Sequence, residues 1–156
     1  MTTQTGRLKR ILKLSQNIGL VALLLFQFNS CTPDLSDDPI PYVPFSDIVL
    51  NLGLLSKLST DHGFEYVDGG VKGLLIYRQN SSTYIVFERN CSFHPNDACS
   101  TIDVHSSTLY IEDSCCKSTF RFPDGEPTGG PAWRPLRRYV TYLDDNELTI
   151  TDDIIQ

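Results

Sequence analysis

The sequence predicts an antiparallel all-β domain, and three observations carry that reading. Short runs of β-branched and aromatic residues recur between compact polar turns. No apolar stripe at helical spacing continues for longer than a turn or two. Seven tyrosines and eight phenylalanines suit the half-buried faces of small sheets. A chain of 156 residues has room for one such domain and an N-terminal appendage.

In order along the chain, residues 45–52 have the apolar content of a first strand, through Phe45, Ile48, Val49, Leu50 and Leu52. Residues 54–58 read as one short helical turn. Residues 63–67 lead into Asp68-Gly69-Gly70, a strong breaker. Residues 71–77 and 83–88 then read as two strands around the polar turn Gln79-Asn80-Ser81-Ser82. A second hairpin is expected from 101–104 and 108–112 around His105-Ser106-Ser107. Residues 119–122 alternate apolar and polar before the turn Pro123-Asp124-Gly125, and 138–143 with 147–151 flank Asp144-Asp145-Asn146 as a third hairpin. No internal repeat appears.

The N-terminus is of another kind. Arg7, Lys9, Arg10 and Lys13 precede an apolar run over 18–26. Such a run is too short for a bilayer core, which takes about 20 residues, and reads as the hydrophobic region of a signal peptide. Phe28-Asn29-Ser30-Cys31 follows, and it resembles a bacterial lipobox, with Phe28 and Asn29 departing from the usual pattern. The resemblance implies that Cys31 is the acylated N-terminus of a mature lipoprotein, held to a membrane by lipid alone. Residues 1–30 are then the signal peptide, 31–44 an extended tether with Pro33, Pro39, Pro41 and Pro44 among acidic residues, and 45–156 the β domain. The acidic tether is similar to those of envelope lipoproteins in Bacteroidetes-type bacteria, which implies an exported protein at the outer membrane, on its periplasmic or surface face.

Charge narrows the partners. The whole chain carries a formal charge of −6, and all four basic residues of 1–30 lie in the expected leader, which holds none of the 19 acidic ones. The remaining chain has nine basic residues against 19 acidic ones, a formal charge of −10. That balance argues against nucleic acid as a partner. It argues equally against electrostatic adhesion to anionic lipid.

Export sets the redox context for the cysteines. Apart from Cys31 there are four, Cys91, Cys99, Cys115 and Cys116, an even set for which disulfides are the default outside the cytoplasm. They fall in two stretches outside the expected strands, 90–100 and 113–117, two in each, and a β scaffold would bring the two stretches together.

Residues around these cysteines give the pattern more content. Ser118, Phe120, Asp124-Gly125, Gly130-Pro131-Ala132 and Pro135-Leu136 stand in the order and spacing of the second half of a Rieske iron–sulfur domain. Upstream, Gly73-Leu-Leu-Ile-Tyr-Arg and Thr83-Tyr-Ile-Val-Phe-Glu-Arg-Asn-Cys look like the hairpin leading into the first cluster loop of such a domain. The resemblance covers roughly residues 64–151. It implies stacked small antiparallel sheets, a two-loop subdomain at 90–122, a 2Fe–2S cluster and electron transfer to an unknown redox partner.

The ligand positions depart from the family pattern. Rieske domains present Cys-x-His on the first loop; here Cys91 matches, but His94 makes the spacing Cys-x-x-His. Aligned on Ser118 and Phe120, Cys116 stands where the second-loop histidine belongs and Asp113 where the second-loop cysteine belongs. Cys115 falls on a position that in respiratory-chain Rieske proteins is disulfide-bonded to the first loop, which implies Cys99 as its partner. A Rieske cluster gives one iron two thiolates and the other two imidazoles, and a carboxylate is a poor replacement for a thiolate beside soft bridging sulfides.

Three readings stay open on the sequence. Cys91, His94, Cys99 and Cys116 (or Cys115) gather a metal, either an altered 2Fe–2S centre or zinc, for which three cysteines and a histidine are an established set. Alternatively Cys99–Cys115 and Cys91–Cys116 are both disulfides, with no metal and no redox role. Or one disulfide forms and the other thiols stay free. Adjacent cysteines such as Cys115 and Cys116 seldom ligate one metal together but readily face different partners.

Nothing else in the chain points to chemistry. His62 and His105 sit in expected turns, and neither a Gly-x-Ser-x-Gly elbow nor a phosphate-binding glycine loop is present. Trp133 beside Arg134 is expected to pack. The chain is too short to add the catalytic iron domain that accompanies Rieske modules in oxygenases, so no catalytic activity of its own is expected, and electron carriage is the most it would perform.

Overall fold

The computed structural model describes residues 38–155, which lie within the unit Leu35–Gln156. The expected signal peptide and Cys31 fall outside the described residues. Among the described residues no helix is long and apolar enough to cross a membrane.

The architecture is all-β and antiparallel, as the sequence predicts. Among the described residues, ten strands form two sheets: β1 (Ile48–Asn51), β2 (Phe64–Val67), β3 (Leu74–Asn80), β4 (Thr83–Glu88), β5 (Ile102–Val104), β6 (Ile111–Asp113), β7 (Thr119–Phe120), β8 (Pro127–Gly129), β9 (Arg138–Asp144) and β10 (Glu147–Ile155). The larger sheet has the order β1-β10-β9-β4-β3-β2, and the smaller one β5-β6-β7-β8. Two 3-10 turns, Leu52–Leu54 and Ser56–Leu58, take the place of the single helical turn expected at 54–58.

Strand β3 shows why the sheets stack. Its run Leu74-Leu75-Ile76-Tyr77 is buried throughout, because alternate side chains serve two cores. Leu75 and Tyr77 join Phe87, Ile102, Ile111, Phe120 and Phe122, so this core is shared with the small sheet. Leu74 and Ile76 point the other way, to Leu58, Val86, Tyr139, Leu148 and Ile150.

Where strand bounds differ from expectation, the backbone explains it. Strand β3 starts at Leu74 because Gly70 and Gly73 have φ of +59° and +94°. Residues 71–73 therefore remain a turn, and the N–H groups of Val71 and Lys72 go to the Glu88 carboxylate at 2.9 and 3.0 Å. A Cβ at position 70 would lie 2.2 Å from Glu88 Oε2, so glycine is required there for space as well as for φ. Strand β6 starts only at Ile111, since Thr108 sits at φ +60° in the turn. Strand β8 has no counterpart in the sequence reading: Pro127 and Gly129 look like turn residues. It is an edge strand, where the missing proline N–H costs no ladder bond.

Residues 38–44 run along the domain without regular structure. Arg137 donates to the carbonyls of Ile40 (2.7 Å) and Pro41, and Tyr42 Oη donates to Asp152 Oδ2 at 2.7 Å. Trp133, expected to pack, is instead 46% exposed, with the Arg134 guanidinium 5.1 Å from its ring centroid. Arg134 is drawn the other way by the backbone, donating to Asp38 O and Ser92 O, and the indole stays outside.

Candidate metal centre

Two loops lie side by side at the small sheet, the first entering it from the larger sheet and the second joining two of its own strands. The first, between β4 and β5, is closed at its base by the Asn90–Thr101 bridge and by Cys91 N donating to Ser100 O at 3.2 Å. Lys72 braces it from outside, its Nζ donating to the carbonyls of Asp97 and Ser100, both at 2.7 Å. The second loop, between β6 and β7, is closed by two bonds, Asp113 N to Ser118 O at 2.9 Å and Lys117 N to Asp113 O at 2.8 Å. Lys117 takes φ +63° to complete that tight turn.

A third segment, 130–136, holds both loops. Ser92 Oγ donates to Arg134 O at 2.7 Å, and Ala132 N donates to Ser118 Oγ at 3.0 Å. Gly130 has φ +80°, and a Cβ on it would lie 2.5 Å from both Lys117 O and Ser118 Cα. The Gly130-Pro131-Ala132 motif is thus the backbone clasp of the second loop.

A disulfide between Cys99 and Cys115 joins the two loops, with Cα atoms 5.8 Å apart. This corrects the expectation of Cys99 as a metal ligand, since a disulfide sulfur has no thiolate to offer. Cys91 and Cys116 are thiols with sulfurs 3.9 Å apart and unbonded. His94, the other expected ligand, is not among the donors that converge here. One residue further from Cys91 than the Rieske spacing, it takes φ +44° and sets its ring edge-on to Phe93, centroids 4.2 Å apart.

Asp113 completes the group instead. One ligand atom each from Cys91, Asp113 and Cys116 lie within 4.8 Å of one another. Cys91 and Asp113 are fully buried and Cys116 is half-buried, so the group opens to solvent on the Cys116 side. Cys115 N donates to Asp113 Oδ1 at 2.7 Å, which turns Oδ2 toward Cys116 Sγ, 3.4 Å away. Ser118 Oγ lies 3.0 Å from Cys116 Sγ. Burial pushes the Cys91 thiol far above its ordinary range; the Phe93 N–H opposes the rise, while Asp113 and Cys116 add to it. Burial thus favours the protonated form of the Cys91 thiol.

This donor set does not fit a Rieske cluster. The cluster needs two imidazoles on one iron, and among the described residues no histidine nitrogen joins the group. The three donors are also gathered around one point rather than in two pairs. The signal for Asp113 in the sequence is its alignment with a ligand cysteine of the Rieske pattern, which makes it a candidate donor even though a carboxylate is a poor replacement for a thiolate beside bridging sulfides.

The other histidines stand apart. His62 Nδ1 is 2.6 Å from Tyr77 Oη, and His105 Nδ1 is 2.8 Å from Ser107 Oγ.

No family model matches this chain. No curated protein matches it either. Two solved structures are similar in outline. One is the ferredoxin of carbazole 1,9a-dioxygenase from Nocardioides aromaticivorans IC177, at 18% identity and a TM-score of 0.45, over 70% of this chain and 96% of that one. The other is a complex of reduced oxygenase and oxidized ferredoxin in carbazole 1,9a-dioxygenase, at 16% identity and a TM-score of 0.49, over 76% of this chain and 99% of that one. Similarity at this level assigns no activity to the chain.

Proposed function

We propose that this chain is an exported lipoprotein, acylated at Cys31 and held at the outer membrane, that presents a Rieske-like β module without a Rieske cluster. The module is a stapled structural or binding domain with no catalytic activity of its own. One observation carries this reading: a disulfide clamps the two loops, while the cluster-ligand positions offer two thiols and a carboxylate with no imidazole. Such a set cannot provide the neutral imidazoles that help raise the potential of Rieske centres.

The full chain, produced in cells competent in cluster assembly and purified without oxygen, is expected to be colourless and free of acid-labile sulfide. Iron and sulfide in stoichiometric amounts would sink the reading in favour of its runner-up, an electron carrier with an altered 2Fe–2S centre. That runner-up is favoured by the convergence of three donors at the cluster position. For the anchor, Cys31→Ala should release the protein from the membrane fraction; retention there would refute acylation at Cys31.

A further inference from the structure

We propose that Cys91, Cys116 and Asp113 bind a single zinc ion, with the fourth position left to water on the Cys116 side. The inference rests on the reading above, that no iron–sulfur cluster occupies the two-loop tip.

The distances carry it. Zinc bonds to thiolate at about 2.3 Å and to carboxylate oxygen at about 2.0 Å, in a tetrahedron. Two sulfurs on such an ion stand about 3.8 Å apart, and a sulfur and an oxygen about 3.5 Å apart. Here the two Sγ atoms are 3.9 Å apart, and Cys116 Sγ is 3.4 Å from Asp113 Oδ2. Two edges of a zinc tetrahedron are already present.

The surroundings of Asp113 point the same way. It is fully buried, and among the described residues no ion pair involves it. A buried carboxylate needs a cation or a full set of donors. Oδ1 has the Cys115 N–H, whereas Oδ2 has only weak donors, chiefly the Cys116 S–H at 3.4 Å. Ser100 Oγ is 3.5 Å away and has a better acceptor in Phe93 O at 2.9 Å. One hydroxyl proton cannot serve both, so Oδ2 is left facing the thiols.

The outer partners suit a metal as well. A ligating carboxylate is ordinarily fixed by a hydrogen bond to its other oxygen, as Cys115 N does here. The Phe93 N–H supports the Cys91 sulfur, and Ser118 Oγ, fixed by Ala132 N, accepts from the Cys116 thiol at 3.0 Å and would donate to its thiolate once a metal displaced that proton. Two thiolates with a carboxylate match zinc better than magnesium or calcium, which take oxygen alone. Binding would release the two thiol protons to solvent as zinc–sulfur bonds form.

The test uses the full chain extracted from the envelope in detergent, with thiols blocked at lysis in one half of the preparation and zinc measured in the other. About one zinc per chain is expected, and a chelating dye that removes it should expose two titratable thiols. Cobalt added to the stripped protein should give the intense visible bands of a tetrahedral thiolate site. Zinc content should fall at least tenfold in Cys116→Ser and in Asp113→Asn, the latter being close in shape to the native side chain. A metal-free protein with Cys91 and Cys116 disulfide-bonded, or with both free, overturns the zinc site and leaves the stapled module intact. Equal zinc in Cys116→Ser also overturns it. Iron with labile sulfide overturns the reading on which the site rests.

Discussion

Glu88 and Asp113 are both fully buried carboxylates, and among the described residues neither forms an ion pair, yet they sit in opposite conditions. Glu88 is saturated. Its Oε1 accepts from Lys72 N and Asn90 N at 3.0 and 3.2 Å, and its Oε2 from Val71 N and Tyr139 Oη at 2.9 and 3.0 Å. Four donors replace the water that burial removed, so the charge fixes a turn and offers nothing further. Asp113 has one strong donor on Oδ1, while its Oδ2 faces sulfur. A buried charge that is fully hydrogen-bonded is structure; one with an oxygen turned to other metal-binding groups has coordination capacity.

The sharpest way to break the comparison is to remove the saturated member. Glu88→Ala strands three backbone N–H groups and a phenol in the interior, and each orphan costs about 1–3 kcal/mol. We expect a loss on the order of 4 kcal/mol in urea unfolding, the same with or without added zinc. A loss below about 1 kcal/mol would show that water reaches the 70–72 turn and that Glu88 is not the anchor described. The tip should respond differently, because there a covalent bond does the holding. Replacing Cys99 and Cys115 together by serine should cost about 3 kcal/mol, given a bond that closes a sequence separation of 16. Reductant should bring the native chain to the stability of that double variant and leave the variant unchanged.

Much of this contrast was legible in the sequence, and the remainder was hidden for identifiable reasons. The strand pattern was visible because β3 to β5 and β9 to β10 carry branched and aromatic runs between turn residues. Strand β8 was hidden because its proline and glycine mimic a loop, and an edge position tolerates them. The two-loop tip could be located from Cys91, Cys115 and Cys116, and the segment 130–136 from Gly130-Pro131-Ala132. The sequence did not reveal that His94 turns onto Phe93, or that Asp113 turns its Oδ2 inward. Those orientations depend on one residue of loop length and on the Cys115 N–H, which no residue pattern encodes. Nothing in the sequence marks Glu88 as an anchor. In a strand it reads as a solvated charge, and only the left-handed turn at Gly70 aims the backbone donors at it.

At the unsaturated member the change expected is smaller and conditional. Asp113→Asn keeps the acceptor for Cys115 N, so the metal-free stability should stay within about 1 kcal/mol of the native value. With zinc at a hundred times its dissociation constant, the native chain should gain about 2.7 kcal/mol and the variant far less. Equal gains would make the two carboxylates alike after all. Thermal melts with and without zinc separate the outcomes.

The finest test returns to Glu88. Tyr139→Phe removes one of its four donors and leaves the three N–H groups and the edge-on packing against Phe45 in place. The expected cost at neutral pH is therefore about 1 kcal/mol. Its pH dependence is more diagnostic. Burial raises the Tyr139 hydroxyl well above the ordinary 10.0, and the neighbouring Glu88 charge and hydrogen bond raise it further. The folded state thus keeps this proton to higher pH than the unfolded chain does. Its contribution is complete below about pH 10 and is lost as pH rises above that value. The native protein should weaken steeply on the alkaline side, and Tyr139→Phe should weaken less. Tyr66 and Tyr77, raised by burial too, keep part of the slope in both. Identical alkaline slopes in the two proteins would mean that the phenol does not face a charged Glu88, and the saturated half of the comparison would fall.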